Sequence, residues 1–261
     1  MKTNMKALVM IGVLFISILA ISSCQKENMN SENAQYASLL NVSVDGITSV
    51  IEANLKSALI TTSTLTDSEL ASLLKMKEEE KLARDVYSAL YQKWGSQVFS
   101  NLTAAESNHL NAIILLLTTY GGDTSIGESG IFTNTEVQAL YTKLVTDGSV
   151  AIEEAYKTGA LIEEMDINDL NLSLSNVTNA NVLLVFENLL KGSRNHLRAF
   201  NRQLTTLGAD CTPFYLSQEA YDLIVNSAME QGKQYRMNGK GQGNGKGQNG
   251  LGNQGSGSCN N

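Results

Sequence analysis

From residue 67 to residue 207 the chain contains no proline, and apolar side chains recur at steps of three and four. That is the period of an α-helix, and sustained over such a length it leaves little room for a sheet. The one proline, Pro213, lies beyond this stretch. Four long helices can be laid out. The first is expected over about Asp67 to Trp94, with Thr66 and Glu69 as a capping box and Gly95 as its stop. The second runs from about Leu102 to Tyr120 and ends at Gly121-Gly122. The loop "GGDTSIGESGIFTN" then crosses to a short helix at Thr135 to Asp147, before Gly148. The third long helix begins after Ser149 and reaches about Ser175, and the fourth runs from about Asn181 to Leu207 and stops at Gly208. A last short helix follows Ser217, with Glu219 in its first turn. Two helical hairpins joined by a longer segment make an all-α fold, a four-helix bundle whose crossover contains a short helix, plus a short C-terminal helix. Residues 36–60, "YASLLNVSVDGITSVIEANLKSALI", fit either an extra helix or a pair of short strands.

Each long helix has one stripe that is apolar at its ends and interrupted near its middle. The first reads Leu73, Met76, Glu80, Ala83, Tyr87, Leu90, Trp94, and the second Leu102, Glu106, His109, Ile113, Leu116, Tyr120. The third reads Ile152, Tyr156, Gly159, Glu163, Asp166, Leu170, and the fourth Phe186, Leu189, Ser193, His196, Phe200, Leu204. The chain has two histidines, and both fall on these stripes. An ionised carboxylate alone in an apolar interior is strongly unfavourable or takes up a proton. Acids on three helices at one depth would also repel one another. A di- or trivalent cation removes both costs. Glu106 and His109, three residues apart, share a helix face and can reach one ion. An oxygen-rich set with two imidazoles suits iron or manganese better than a structural zinc.

Blander readings of the same residues stay open. A histidine on an apolar helix is ordinarily a hydrogen-bonded core residue. Glu80 can pair with Arg84, one turn along, or with Arg194. Glu78, Glu79 and Glu164 read as solvated faces, although Glu164 replaces Glu163 if the phase of the third helix is off by one. Asp85 and Arg84 read as outer contacts. Arg194 and Arg198, four apart, either bridge carboxylates from behind the ligands or sit at the surface. Tyr87 lies about two turns from Glu80 on the same stripe.

The segments "EKLARDVY", "ESNH", "GALIEEMDI" and "GSRNHLRAF" resemble the ferritin-like superfamily, and within it an uncharacterised bacterial and archaeal branch, domain-of-unknown-function family 2202. The resemblance covers about Leu65 to Ile224. It implies Glu80 as the first-helix ligand, Glu106 with His109 as the second-helix pair, and Glu163 as the third-helix ligand. The fourth helix departs from the pattern: in place of Glu-x-x-His it has Ser193-Arg194-Asn195-His196. A serine hydroxyl is a poor substitute for a carboxylate, and Glu187 is turned about half a revolution away from His196. Asp166 shares a face with Glu163 and is the candidate to compensate. The implied set is Glu80, Glu106, His109, Glu163, Asp166 and His196, around one metal or an asymmetric pair, with Tyr87, Ser193 and Arg194 behind them. The implied chemistry is of oxidase, peroxidase or ferroxidase type, with a small-molecule oxidant such as dioxygen or peroxide. There is no CxxC pair for a built-in electron relay, so electrons would come from an outside donor. The alternative is a non-enzymatic helical envelope protein whose polar residues close a hydrogen-bond network and which binds a partner.

The ends carry a different message. Lys2 and Lys6 precede an apolar run from Ala7 to Ile21, which finishes in "ISSC". This has the form of an export signal, and the cysteine after small residues resembles a bacterial lipobox. The resemblance implies a signal peptide over 1–23, lipid on Cys24 and a chain tethered to a membrane in the cell envelope. Residues 24–64 then form a tether and N-terminal segment, 65–231 the bundle, and 232–261 a Gly/Asn/Gln-rich tail with almost nothing to bury. Cys211 and Cys259 remain, without Cys/His zinc spacing. A formal charge of −7 argues against nucleic acid as a partner.

Overall fold

Helix boundaries follow local signals in the chain. The computed structural model describes residues 36–43, 47–59, 64–231 and 234–236. In chain order the elements are β1 (Tyr36–Ser38), β2 (Leu40–Val42), β3 (Thr48–Val50), α1 (Glu52–Ala58), α2 (Asp67–Trp94), α3 (Gln97–Tyr120), α4 (Thr135–Gly148), α5 (Ile152–Leu174), α6 (Ala180–Leu207), α7 (Gln218–Val225) and β4 (Gln234–Arg236). The capping box forms: Glu69 N donates to Thr66 Oγ1 at 3.2 Å, and Thr66 N donates to Glu69 Oε2 at 2.9 Å. Gly95 and Gly208 take left-handed conformations, φ 63° and 69°, which terminate α2 and α6 at little steric cost. Asn134, Asn179 and Ser217 cap α4, α6 and α7 through side-chain oxygens. α3 starts earlier than its apolar stripe suggests, at Gln97, because Val98 and Phe99 enter the core as soon as the chain has turned at Gly95.

The four long helices close a ring. α2 packs on α3, α3 on α6, α6 on α5 and α5 back on α2, the all-α bundle expected. At one level the rings of Tyr87, Phe99 and Phe200 meet, with Phe200 centroids 5.4 and 5.6 Å from the other two. Each such fully buried side chain contributes about 1.5–3 kcal/mol. The crossover is clamped to α2: Lys81 Nζ reaches Asp85 Oδ2 at 2.6 Å and the Glu128 carbonyl at 2.9 Å, while Gly130 N donates to Asp85 Oδ2 at 2.9 Å. Asp85 is therefore buried rather than an outer contact. Arg84 donates to Asp85, at 2.9 Å, and not to Glu80.

Residues 36–59 combine both expected forms. β2 and β3 pair antiparallel with Leu40 opposite Val50, and α1 follows. β3 lies on α3 and α6, and α1 on α3, so Leu39, Leu40, Val50 and Leu55 join the core. β4, inside the stretch expected to lack structure, pairs antiparallel with β1. The expected signal peptide, Cys24 and Cys259 lie outside the described residues. Among the described residues no helix is long and apolar enough to cross a membrane.

Candidate metal centre

α2 contributes Glu80, α3 Glu106 and His109, α5 Glu163 and Asp166, and α6 His196; none of the six is more than 1% exposed. Glu106 stands between the histidines. Its Oε2 is 2.8 Å from His109 Nδ1 and its Oε1 is 2.8 Å from His196 Nδ1. Two further carboxylates flank this trio. Glu80 Oε2 is 3.4 Å from His109 Nδ1, and Glu163 Oε1 is 3.6 Å from His196 Nδ1. The imidazoles lie nearly parallel, with centroids 5.2 Å apart and planes at 19°. Glu106, His109 and His196 each offer one ligand atom within 4.8 Å of the others, so this trio can hold a metal ion.

The two 2.8 Å contacts are close approaches of carboxylate to imidazole. Glu106 Oε1, His109 Nδ1 and His196 Nδ1 are all left without a hydrogen-bond partner, as are both Glu80 oxygens, Glu163 Oε2, Asp166 Oδ1 and His109 Nε2. Buried polar atoms normally have partners, and each orphan charged group costs more than a neutral one. Carboxylate and imidazole donors without protein partners are the chemistry that fits a cation.

The charges respond accordingly. Burial opposes ionisation of Glu106, but the two imidazoles outweigh it and hold its carboxyl below the usual range. Burial likewise opposes charge on the histidines. The Glu106 and Glu80 carboxylates nevertheless raise His109 well above its ordinary value, and Glu106 with Glu163 brings His196 to about 9. Burial pushes Glu80 up to about 8 and Glu163 to about 7, and the negative charge of Glu106 adds to both. Burial, then Glu80 and Glu163, pushes Asp166 well above the carboxylate range. Without a metal ion, protons neutralise this cluster.

Residues 69–228 match the family described as uncharacterized protein domain DUF2202. The chain belongs to that family. The DUF2202 region contains all six residues above. Uncharacterized protein MJ0754 of Methanocaldococcus jannaschii is 42% identical over 170 residues, which is 64% of this chain and 92% of that protein. The crystal structure of hypothetical protein MJ0754 superposes with a TM-score of 0.64 at 41% identity, covering 66% of this chain and 99% of that one.

Around the trio, residues of the DUF2202 domain and one segment outside it fix orientation. Tyr87 donates to Glu163 Oε1 at 2.6 Å. His196 Nε2 lies 3.2 Å from the Thr48 carbonyl on β3. Gly192 makes room for His109: a Cβ there would stand 2.6 Å from His109 Cε1. A glycine inside a helix costs about 1 kcal/mol against alanine, and "GSRNHLRAF" was the signal that could have exposed this role. Thr48, far away in sequence, left no signal.

Four expectations change. Glu79, expected on a solvated face, is buried, with Oε1 3.3 Å from Lys75 Nζ. Ser193 is buried, and its hydroxyl donates to the Leu189 carbonyl at 3.2 Å, within its own helix. Arg194 does not back the candidate ligands; it grips Glu230 at 2.7 and 2.5 Å, and Arg198 reaches the same carboxylate at 3.0 Å. Glu164 is neither solvated nor part of the cluster. It is buried and accepts from the backbone N–H groups of Phe214, Tyr215 and Leu216 at 2.8, 3.0 and 3.3 Å.

Proposed function

We propose that this protein holds a redox-active cation, iron or manganese, in a mono- or dinuclear site between its four helices. The chemistry we assign is of oxidase, peroxidase or ferroxidase type, as the ferritin-like resemblance implies. One observation carries the reading: eight buried nitrogen and oxygen atoms, from all four helices, have no hydrogen-bond partner among the described residues. A purely structural polar network would pair such atoms with one another.

Glu106, Glu80, Glu163, Asp166, His109 and His196 would hold the cation, with Glu106 shared between the two histidines. When bound, it would supply electron transfer to or from dioxygen or peroxide. The protein's own contribution is position and dryness. His196 Nε2 lies 3.2 Å from both the N–H and the carbonyl of Thr48, so β3 holds the ring in either tautomer; with its proton on Nε2 it would donate to the carbonyl and leave the Nδ1 lone pair for the cation. Tyr87 holds one oxygen of Glu163, and the aromatic layer above excludes water. We further propose that the bundle works at a membrane surface, anchored through lipid on Cys24. The basic start, the apolar run and "ISSC" support this.

The test is elemental analysis of full-length protein from iron- and manganese-replete cells. About one equivalent of metal or more is expected, and a large loss in the Glu106→Ala/His109→Ala double variant. Metal well below that level in both proteins would refute the reading.

A further inference from the structure

A centre this deeply buried needs a way in for its ion. Three sides of the bundle are closed. β3 and α1 cover α3 and α6 on one side. The crossover, tied down by Lys77 and Lys81, covers α2 on another. The 214–216 segment, held by Glu164, covers α5 on a third. α4 packs on both α2 and α5, with Gly148 between Leu90 and Thr158, and closes one end of the seam between those two helices. The other end of that seam is built differently.

On α5, Glu163, Asp166 and Asp169 follow one another at steps of three, about 4.5 Å of rise each, along one helix face. Exposure grows along the row. Glu163 and Asp166 are sealed, whereas the Asp169 side chain is 16% exposed. Across the seam stands Glu79, 9% exposed, next to Glu80 in sequence. Glu79 Oε2 and Asp166 Oδ1 both lack a hydrogen-bond partner. At the outer end the Lys75 ammonium bridges Glu79 Oε1 at 3.3 Å and Asp169 Oδ2 at 2.8 Å. An ammonium between two carboxylates marks a position where positive charge is stable. This one sits on a long side chain that is 57% exposed and can swing aside. A surface cavity of about 270 Å³, lined by Ser68, Ser72, Lys75, Asp169 and Ser173, opens there.

We propose that this seam admits the metal ion. A divalent cation displaces the Lys75 ammonium between Asp169 and Glu79, then moves by way of Glu79 and Asp166 to Glu80 and Glu163. The inference rests on the metal-centre reading above.

Stopped-flow mixing of the metal-free full chain with Co(II), followed by ligand-field absorbance, tests it. Asp169→Asn should load about tenfold more slowly and Lys75→Met about tenfold faster, since both change the potential that draws the ion in. The final absorbance should be the same in all three proteins, because a gate changes uptake and release alike. Unchanged loading rates with a normal final spectrum overturn the route and leave the centre standing. No Co(II) spectrum from the unmutated chain overturns both. Lys75 is exposed, so if circular dichroism shows Asp169→Asn to be misfolded, the Lys75→Met rate decides alone.

Discussion

Two of the three glutamates that α2 buries stand about three turns apart, and they live in opposite circumstances. Glu69, near the start of the helix, accepts from Thr66 N and Oγ1 at 2.9 and 3.0 Å, from Thr178 N and Oγ1 at 2.9 and 3.2 Å, and from Asn179 N at 2.8 Å. Burial works against its charge, but these donors prevail and lower its pKa to about 2. Glu80, mid-helix, is equally buried and has no donor on either oxygen. Neighbours on α5 repeat the contrast: Glu164 has three backbone donors, while Glu163 has Tyr87 on one oxygen and nothing on the other. Burial alone therefore does not identify a binding carboxylate. The missing donors do.

Four measurements bear on that contrast. Denaturant melts with saturating metal and with chelator should differ by about 3–4 kcal/mol, the linkage expected at 100 to 1,000 times the dissociation constant; coincident melts would mean that nothing completes the middle of the bundle. Gly192→Ala should destabilise by about 1–3 kcal/mol through overpacking against His109 and lower metal content as well. A gain in stability there, as ordinary helix propensity would give, would show that His109 is not held in that place.

Glu69→Gln should cost about 1–3 kcal/mol at neutral pH, because a charged acceptor with five donors is lost. Its pKa is depressed from 4.5 to about 2, so the carboxylate's contribution is complete above pH 4.5 and fades as pH falls toward 2. Urea melts over that range should show the unmutated chain converging on the variant. Glu80→Gln should do the reverse in metal-free protein: neutral, or stabilising by about 1 kcal/mol, since burial already favours the protonated carboxyl at neutral pH and the amide keeps its shape. A loss as large as that of Glu69→Gln would erase the distinction between the two glutamates.

The long helices were readable because their signals are local. Thr66 with Glu69, Gly95, Gly208 and the apolar period act within a few residues of one another. The stripes also placed Glu80, Glu106, His109, Glu163, Asp166 and His196 on inward faces; the structure buries all six and brings Glu106, His109 and His196 within reach of one another. Errors arose where a partner comes from far along the chain. Asp85 looks like a surface acid until Gly130 arrives in the crossover, and Glu164 until residues 214–216 fold over it. Arg194 looks like support for the ligands until Glu230 is seen to claim it. Helical phase assigns a face, but two adjacent buried residues such as Glu163 and Glu164 can both be inward, toward different neighbours.

The DUF2202 match begins at residue 69, yet the carbonyl beside His196 belongs to Thr48. A worker trimming this protein to its recognisable domain would cut just before residue 64 and discard that strand. The bundle would keep every side chain of the candidate centre while losing the brace behind one of them and the lid over α3 and α6. The shortened protein would then resemble the family while misreporting how its buried histidine is held.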